Sequence, residues 1–408
     1  MMFFNNSVLK LNSPQRFIKK EQFIADQRES HTITVSGTYY DMGLLLGLNY
    51  GKLIRDEVDS GYRSIKRKVS LFLNKIETLE EELEQAVDAF APYVPWECKA
   101  ELLGLYDGCA EAGYPFPEGV LEKFLVLVEL GEQECTLFAA QPPMTTGDTF
   151  QLRDLDYYKN IGMSYIPSLI VRIPQNEQGK LIDAAYASFD FIASFTGGAL
   201  TGVNEHGVAF SQSRGPFFKR FSVHGIPIKC LIQQILTKTQ TALQAVELIK
   251  NNKPSTAHFA IISDPKQTKE SLQLIFMGPE LLHHYEHNVA PDLSLINYDD
   301  PELRFYKPIE GIVYWTDMVD RKVNGVAEEF LMSDMCDLLE RNLNDLSQVT
   351  SLKIAKTVGN DITFLTALFN TTTLEAWVAF ASRKNPAHIN EFVYFDLKKY
   401  FSYKNELY

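Results

Sequence analysis

Apolar positions divide the chain into two textures. Residues 40–60, YDMGLLLGLNYGKLIRDEVDS, place Met42, Leu45, Leu46, Ile54 and Val58 at helical spacing. Residues 62–92 follow with KIETLEEELEQAVDAF, apolar on one side and acidic on the other, which reads as a solvated face. Pro92 and Pro95 interrupt, and ELLGLYDGCAEAG predicts a short helix ended by Gly113. Near residue 134 the pattern changes. Short β-type runs take over: CTLFAA, DTFQLRDLDYY, SYIPSLIVRI, ASFDFIASF, GVAFSQS, HFAIISD, LQLIFMG and LEAWVAF, separated by turn residues such as those of QPPMTTGD. Two helical stretches are expected among them, around 228–251 and 325–343. Many strands with helices gathered in a few blocks predict an α+β layered sandwich, and without βαβ alternation a dinucleotide-binding sheet is not expected.

Composition narrows the choices only a little. The 408 residues are 45% apolar and 22% charged, enough for a large core without staples. A net charge of −13 with no clustered Lys and Arg argues against a nucleic-acid partner. The start shows no basic segment followed by an apolar run, and the most apolar stretch, KFLVLVEL, is too short to cross a bilayer. No transmembrane segment is therefore expected, and the cytoplasm is the default location. The five cysteines (98, 109, 135, 230 and 336) form no CxxC pair and read as reduced core thiols plus one functional cysteine.

Cys135 is the candidate. It opens the first strong strand directly after the helical third, and the turn through PPMTTGD folds the next strand, with Arg153 and Asp156, back beside it. A cysteine is more often a buried apolar residue than a nucleophile, and an Arg–Asp pair more often lies on the surface. Together these three residues have a chemistry. A thiol with pKa about 8.5 gains thiolate character beside a cation, which Arg153 supplies. If the chain is cut before Cys135, the new α-amine, with pKa about 8, serves as base and Asp156 orients it, with no histidine required. Strand alternation puts Arg153 and Asp156 on opposite faces, so their convergence requires a turn or bulge.

ECTLFAA followed by RDLDYY resembles the nucleophile segment of the N-terminal nucleophile hydrolases, in particular the isopenicillin N acyltransferase-like and acid ceramidase-like cysteine families. GTYYDMGLLLG, ELLGLYDGCAEAG, TGVNEHGVAFSQS and HFAIISDP followed by LINYDD resemble further motifs of those families, in the same order from about residue 36 to 380. The resemblance implies a four-layer αββα sandwich and an enzyme that cuts itself before Cys135. Residues 1–134 would become a helical α chain or propeptide, and 135–408 the catalytic segment. The mature cysteine would cleave a small linear acyl amide through a thioester, or pass the acyl group to an amine. It implies association of the two cleaved chains, leaves homo-oligomers open, and calls for neither cofactor nor metal. Residue by residue, Cys135 matches the nucleophile, Arg153 the thiol-side arginine and Asp156 the holder of the α-amine. Asn204 and Asn297 match the two asparagines of the oxyanion side, and Arg321 is taken for a late arginine, with Arg304 and Arg341 competing. The chain departs from the families at Glu134, Leu137, Asp154 and Ile296, none of which has a direct chemical role, although Glu134 bears on the rate of self-cleavage.

Other signals are weaker. His283, His284 and His287 in LLHHYEH lack the carboxylate motif of a zinc hydrolase, and the glycines of FTGGALTGVNEHG lack a phosphate-loop lysine. Tyr157 and Phe217 are candidates for lining an acyl pocket. A non-catalytic binding protein whose maturation is blocked by Glu134 is the rival reading.

Overall fold

A computed structural model describes residues 16–25, 28–73, 79–130, 134–156, 166–191, 200–214, 222–280, 282–285, 306–316 and 320–407. Two β-sheets face each other between helical layers. One sheet runs β1 (Phe17–Ala25), β2 (Arg28–Gly37), β5 (Pro167–Pro174), β6 (Tyr186–Phe191), β7 (Gly202–Asn204), β8 (Ala209–Ser213), β9 (His258–Ser263), β10 (Leu272–Met277) and β11 (Leu282–Tyr285). Among its described strands, only β2 and β5 pair in parallel. The other sheet is antiparallel and runs β12 (Ile312–Thr316), β3 (Glu134–Ala140), β4 (Phe150–Asp156), β15 (Thr363–Asn370), β16 (Glu375–Phe380) and β17 (Val393–Asp396). A separate hairpin joins β13 (Asp320–Val323) to β14 (Val326–Glu329).

β3 crosses β8 and β9 of the first sheet, and β12 crosses β9 and β10, so the sheets bury a common core. Phe259 and Trp315 stack across it with ring centroids 3.5 Å apart. Helices α1 (Tyr39–Leu73), α2 (Leu79–Phe90), α3 (Trp96–Glu111) and α4 (Val120–Leu130) cover one end of the first sheet's outer face, burying Ile33, Val35 and Ile170. α5 (Ile228–Lys238) and α6 (Ala242–Asn251) cover the rest of it. On the outer face of the second sheet, α7 (Met332–Glu340) lies against β12, and α8 (Gln348–Val358) against β4 and β15. The order is αββα, as the resemblance implies.

Local sequence explains several elements. Thr38 and Asp41 cap α1 reciprocally, Asp41 N–H donating to Thr38 Oγ1 and Thr38 N–H to Asp41 Oδ2. Gly43 and Gly47 of α1 face Gly104 and Gly108 of α3, where an added Cβ would strike the partner's backbone. The glycine motifs therefore serve helix packing.

The structure corrects three expectations. The first third is not wholly helical, because β1 and β2 belong to the nine-stranded sheet. Residues 326–329 form strand β14 rather than the start of a helix, and a break at Thr239 separates α5 from α6. Cys98 and Cys230 are joined in a disulfide, with Cα atoms 6.0 Å apart, where α3 and α5 approach each other. Among the described residues, Cys109, Cys135 and Cys336 are free. No described helix is long and apolar enough to cross a membrane.

Candidate active site

β3 and β4 pair in unbroken register, with Cys135 opposite Leu155 and Leu137 opposite Arg153. Gln151 fixes which way these side chains face. Its Nε2 donates to Ser211 Oγ and Ile261 O, and Ser263 Oγ donates to its Oε1, all in the opposing sheet. Alternation along β4 then directs Arg153 and Leu155 into the sandwich as well, and pairing directs Cys135 with them. Arg153 Nη2 lies 3.5 Å from Cys135 Sγ, and Nη1 donates to Leu200 O at 2.5 Å. Both side chains are withdrawn from solvent. A guanidinium in a dry site attracts a thiolate more strongly than it would in water.

Asp156 ends β4 on the opposite face, directly across from Glu134. Thr363 Oγ1 donates to its Oδ1 at 2.7 Å, and a register shift in β15 between Thr363 and Leu365 brings that hydroxyl into line. β4 itself carries no bulge against β3, so Asp156 stays on the face opposite Arg153 and Cys135, and the expected convergence of the three side chains is not seen. Asp156 stands beside the peptide that joins Glu134 to Cys135. Thr363 was not legible from sequence, being distant along the chain with no local motif.

Asp154 shares the face of Asp156. Thr366 Oγ1 donates to its Oδ1, and the neighbouring hydroxyls of Thr136 and Thr316 meet at 2.9 Å. Burial pushes the Asp154 carboxyl up to about 8, against the lowering effect of the Thr366 hydroxyl.

The remaining sequence candidates are placed elsewhere. Asn204 pairs with Tyr186, whose ring belongs to the helix-covered core, so its amide faces α5. Its Nδ2 donates to Leu236 O at 3.0 Å and Thr239 O at 2.7 Å, while Oδ1 accepts from His206 N and Val208 N, both at 3.0 Å. Both N–H groups and both lone-pair positions are occupied, and no donor remains for an oxyanion. Arg321 lies in the β13–β14 hairpin. Its guanidinium donates to Thr357 O and Val358 O at the end of α8, pairs with Glu328 at 3.1 Å and covers the Phe330 ring. It caps a helix there and is not brought to Cys135. Arg341 Nε donates to Asp337 O within its own helix end. Asn297, Ile296, Arg304, Tyr157 and Phe217 lie outside the described residues, as does His287. His284 Nε2 meets Gln273 Oε1, and the His283 ring stacks on Tyr285. Among the described residues no cluster of His, Cys, Asp or Glu is arranged to hold a metal ion.

The sequence matches no family model and no curated protein. Among solved structures, the chain is similar to a Caenorhabditis elegans N-acylethanolamine-hydrolyzing acid amidase ortholog, at 15% identity and a TM-score of 0.39, over 58% of this chain and 93% of that one. It is similar to a mutant of conjugated bile acid hydrolase from Clostridium perfringens, at 13% identity and a TM-score of 0.42, over 65% of this chain and 93% of that one. It is also similar to penicillin V acylase from Agrobacterium tumefaciens, at 13% identity and a TM-score of 0.41, over 65% of this chain and 87% of that one. Likeness at this level fixes neither activity nor substrate.

Proposed function

We propose that this chain is a cysteine amide hydrolase of the N-terminal nucleophile type. The observation that carries the reading is the buried contact between Cys135 and Arg153 on neighbouring strands. Cys135 Sγ attacks the Glu134 carbonyl, the acyl group moves from nitrogen to sulfur, and water cleaves the thioester. The products are a Glu134 carboxylate and a Cys135 bearing a free thiol and a free α-amine. In the second act the thiol attacks a linear acyl amide, the amine leaves with a proton, and water releases the acid. Arg153 favours the thiolate in both acts. Asp156, opposite Glu134, is positioned to orient the new α-amine, which moves the protons. Asn297 is the remaining candidate for the oxyanion donor.

The same reading makes residues 1–134 a lasting subunit. They supply β1 and β2 to the first sheet, with β2 paired to β5. Arg172 Nε and Nη2 clasp Glu101 Oε1 at 2.9 and 2.7 Å in a dry contact, and Gln233 donates to Glu101 Oε2 at 2.9 Å. Lys238 holds Glu97 at 3.2 Å. Separating the segments would strand the buried Arg172–Glu101 pair, at about 3–5 kcal/mol. The Cys98–Cys230 bond adds a covalent tie.

The test is hydrolysis of a panel of acyl p-nitroanilides, acetyl to dodecanoyl and phenylacetyl, by the wild type and by Cys135→Ala. The reading expects turnover on at least one, abolished by the substitution. Turnover that survives in Cys135→Ala would place the nucleophile elsewhere.

A further inference from the structure

The helix that leads toward the proposed cut ends on a buried carboxylate. α4 is otherwise largely apolar, yet Glu129 in its last turn is only 1% exposed. A carboxylate there opposes both burial and the negative end of the helix dipole. Three groups hold it. Oε1 accepts from Ile228 N–H at 3.0 Å, and Oε2 accepts from the Ser255 hydroxyl and from Thr256 Oγ1 at 3.1 Å. Burial raises the Glu129 carboxyl above the usual carboxylate range, against the lowering effects of the Ser255 hydroxyl and of Arg214 at the end of β8, and Lys229 lies close enough to attract its charge. Every one of these partners lies beyond Cys135 in the chain.

The contact continues inward. Thr256 Oγ1 meets His258 Nε2 at 2.6 Å, and His258 Nδ1 meets Gln212 Oε1 at 2.8 Å. Burial holds His258 well below the usual imidazole range, helped by the nearby Arg214 and Arg153. Gln212 and His258 belong to β8 and β9, the strands that β3 crosses. This polar chain lies on the helix-covered face of β8 and β9, with Phe210, Ala260 and Ile262, and away from the face where Ser211 and Ile261 meet β4. Only residues 130–133 separate Glu129 from Glu134, which is pinned opposite Asp156. Five Cα-to-Cα steps reach at most about 18 Å, so fixing Glu129 keeps Glu134 within that distance of it.

We infer that Glu129 is a positioning residue for self-cleavage: it anchors the chain upstream so that the Glu134 carbonyl is presented to the Cys135 thiol. This rests on the self-cleaving reading above. Once the 134–135 bond is broken, the anchor no longer bears on the reacting atoms, and turnover of the cut enzyme does not depend on it.

The experiment follows cutting by intact mass in Glu129→Gln, Ser255→Ala and wild type, with thermal unfolding as the check on folding. Turnover per cut molecule is read with the acyl p-nitroanilide that the wild type hydrolyses best. Glu129→Gln keeps the shape but sets an amide N–H₂ among hydrogen-bond donors. The expected result is cutting slowed on the order of tenfold or more in Glu129→Gln and less in Ser255→Ala, with turnover of cut molecules within about twofold of wild type. Folded Glu129→Gln that cuts at the wild-type rate overturns the inference alone, and so does an equal loss of cutting and turnover. If Glu129→Gln fails to fold, Ser255→Ala decides on the same two readings. A wild-type chain that stays whole overturns the self-cleaving reading, and this inference with it.

Discussion

Arg153 and Cys135 meet inside the sandwich, Nη2 3.5 Å from Sγ, because the β3–β4 register sets them on one face, two register positions apart. That relationship assigns the cation beside the thiol to an arginine, and it leaves the base to be found at the chain terminus that cutting would create.

Replacing Arg153 by Ala, or Asp156 by Asn, is therefore expected to lower kcat/KM of cut enzyme on the order of 10²-fold or more. None of the eight histidines should be essential. Replacing each by Gln or Asn should leave measurable turnover in every variant that folds and is cut. A histidine variant that is folded, cut and inert would move the base from the α-amine to an imidazole.

Asp154 gives a pH prediction. Its carboxyl is pushed up to about 8 in the fold, whereas an unfolded aspartate titrates near 4. Between those values the folded chain keeps a proton that the unfolded chain has lost, so stability falls as pH rises. Asp154→Asn removes that term. Its thermal midpoint should match the wild type near pH 4 and exceed it increasingly up to pH 8, by the equivalent of a few kcal/mol. A gap that does not widen with pH would show that Asp154 carries its charge in the fold.

Much of this fold was legible because the strands from Cys135 onward are short, β-rich and bounded by turn residues. Cys135 and Arg153 were legible because one hairpin sets them on one face, whereas strand alternation leaves Asp156 on the other, across from Glu134. β1 and β2 were not, since KKEQ and RESHT carry too few apolar residues to stand out until β5 completes the sheet. Asn204 shows the opposite failure. Its Asn-Glu-x-Gly setting marks a turn truly, but a turn asparagine spends its amide on the turn and on the end of α5. The Cys98–Cys230 pairing depends on two helices meeting across the chain, which no spacing reveals.

Asn204→Ala should accordingly cost stability. Four hydrogen bonds vanish and several buried backbone groups lose partners, worth roughly 3 kcal/mol or more. The thermal midpoint should drop, with kcat of the folded, cut fraction little changed. An unchanged midpoint with kcat down on the order of 10²-fold would return Asn204 to the oxyanion side.

The disulfide spans the proposed cut. Without reductant the cut protein should migrate as one species, and with reductant as two. Alkylation of Cys98 and Cys230 in unreduced, denatured protein would contradict the pairing.

The most direct test of the whole account is the intact mass of reduced wild type beside Cys135→Ala. The account predicts two wild-type species, one ending at Glu134 and one running from Cys135 to Tyr408, and a single 46.4 kDa chain for Cys135→Ala. A wild type that remains at 46.4 kDa, or a Cys135→Ala chain cut at the same bond, would contradict it.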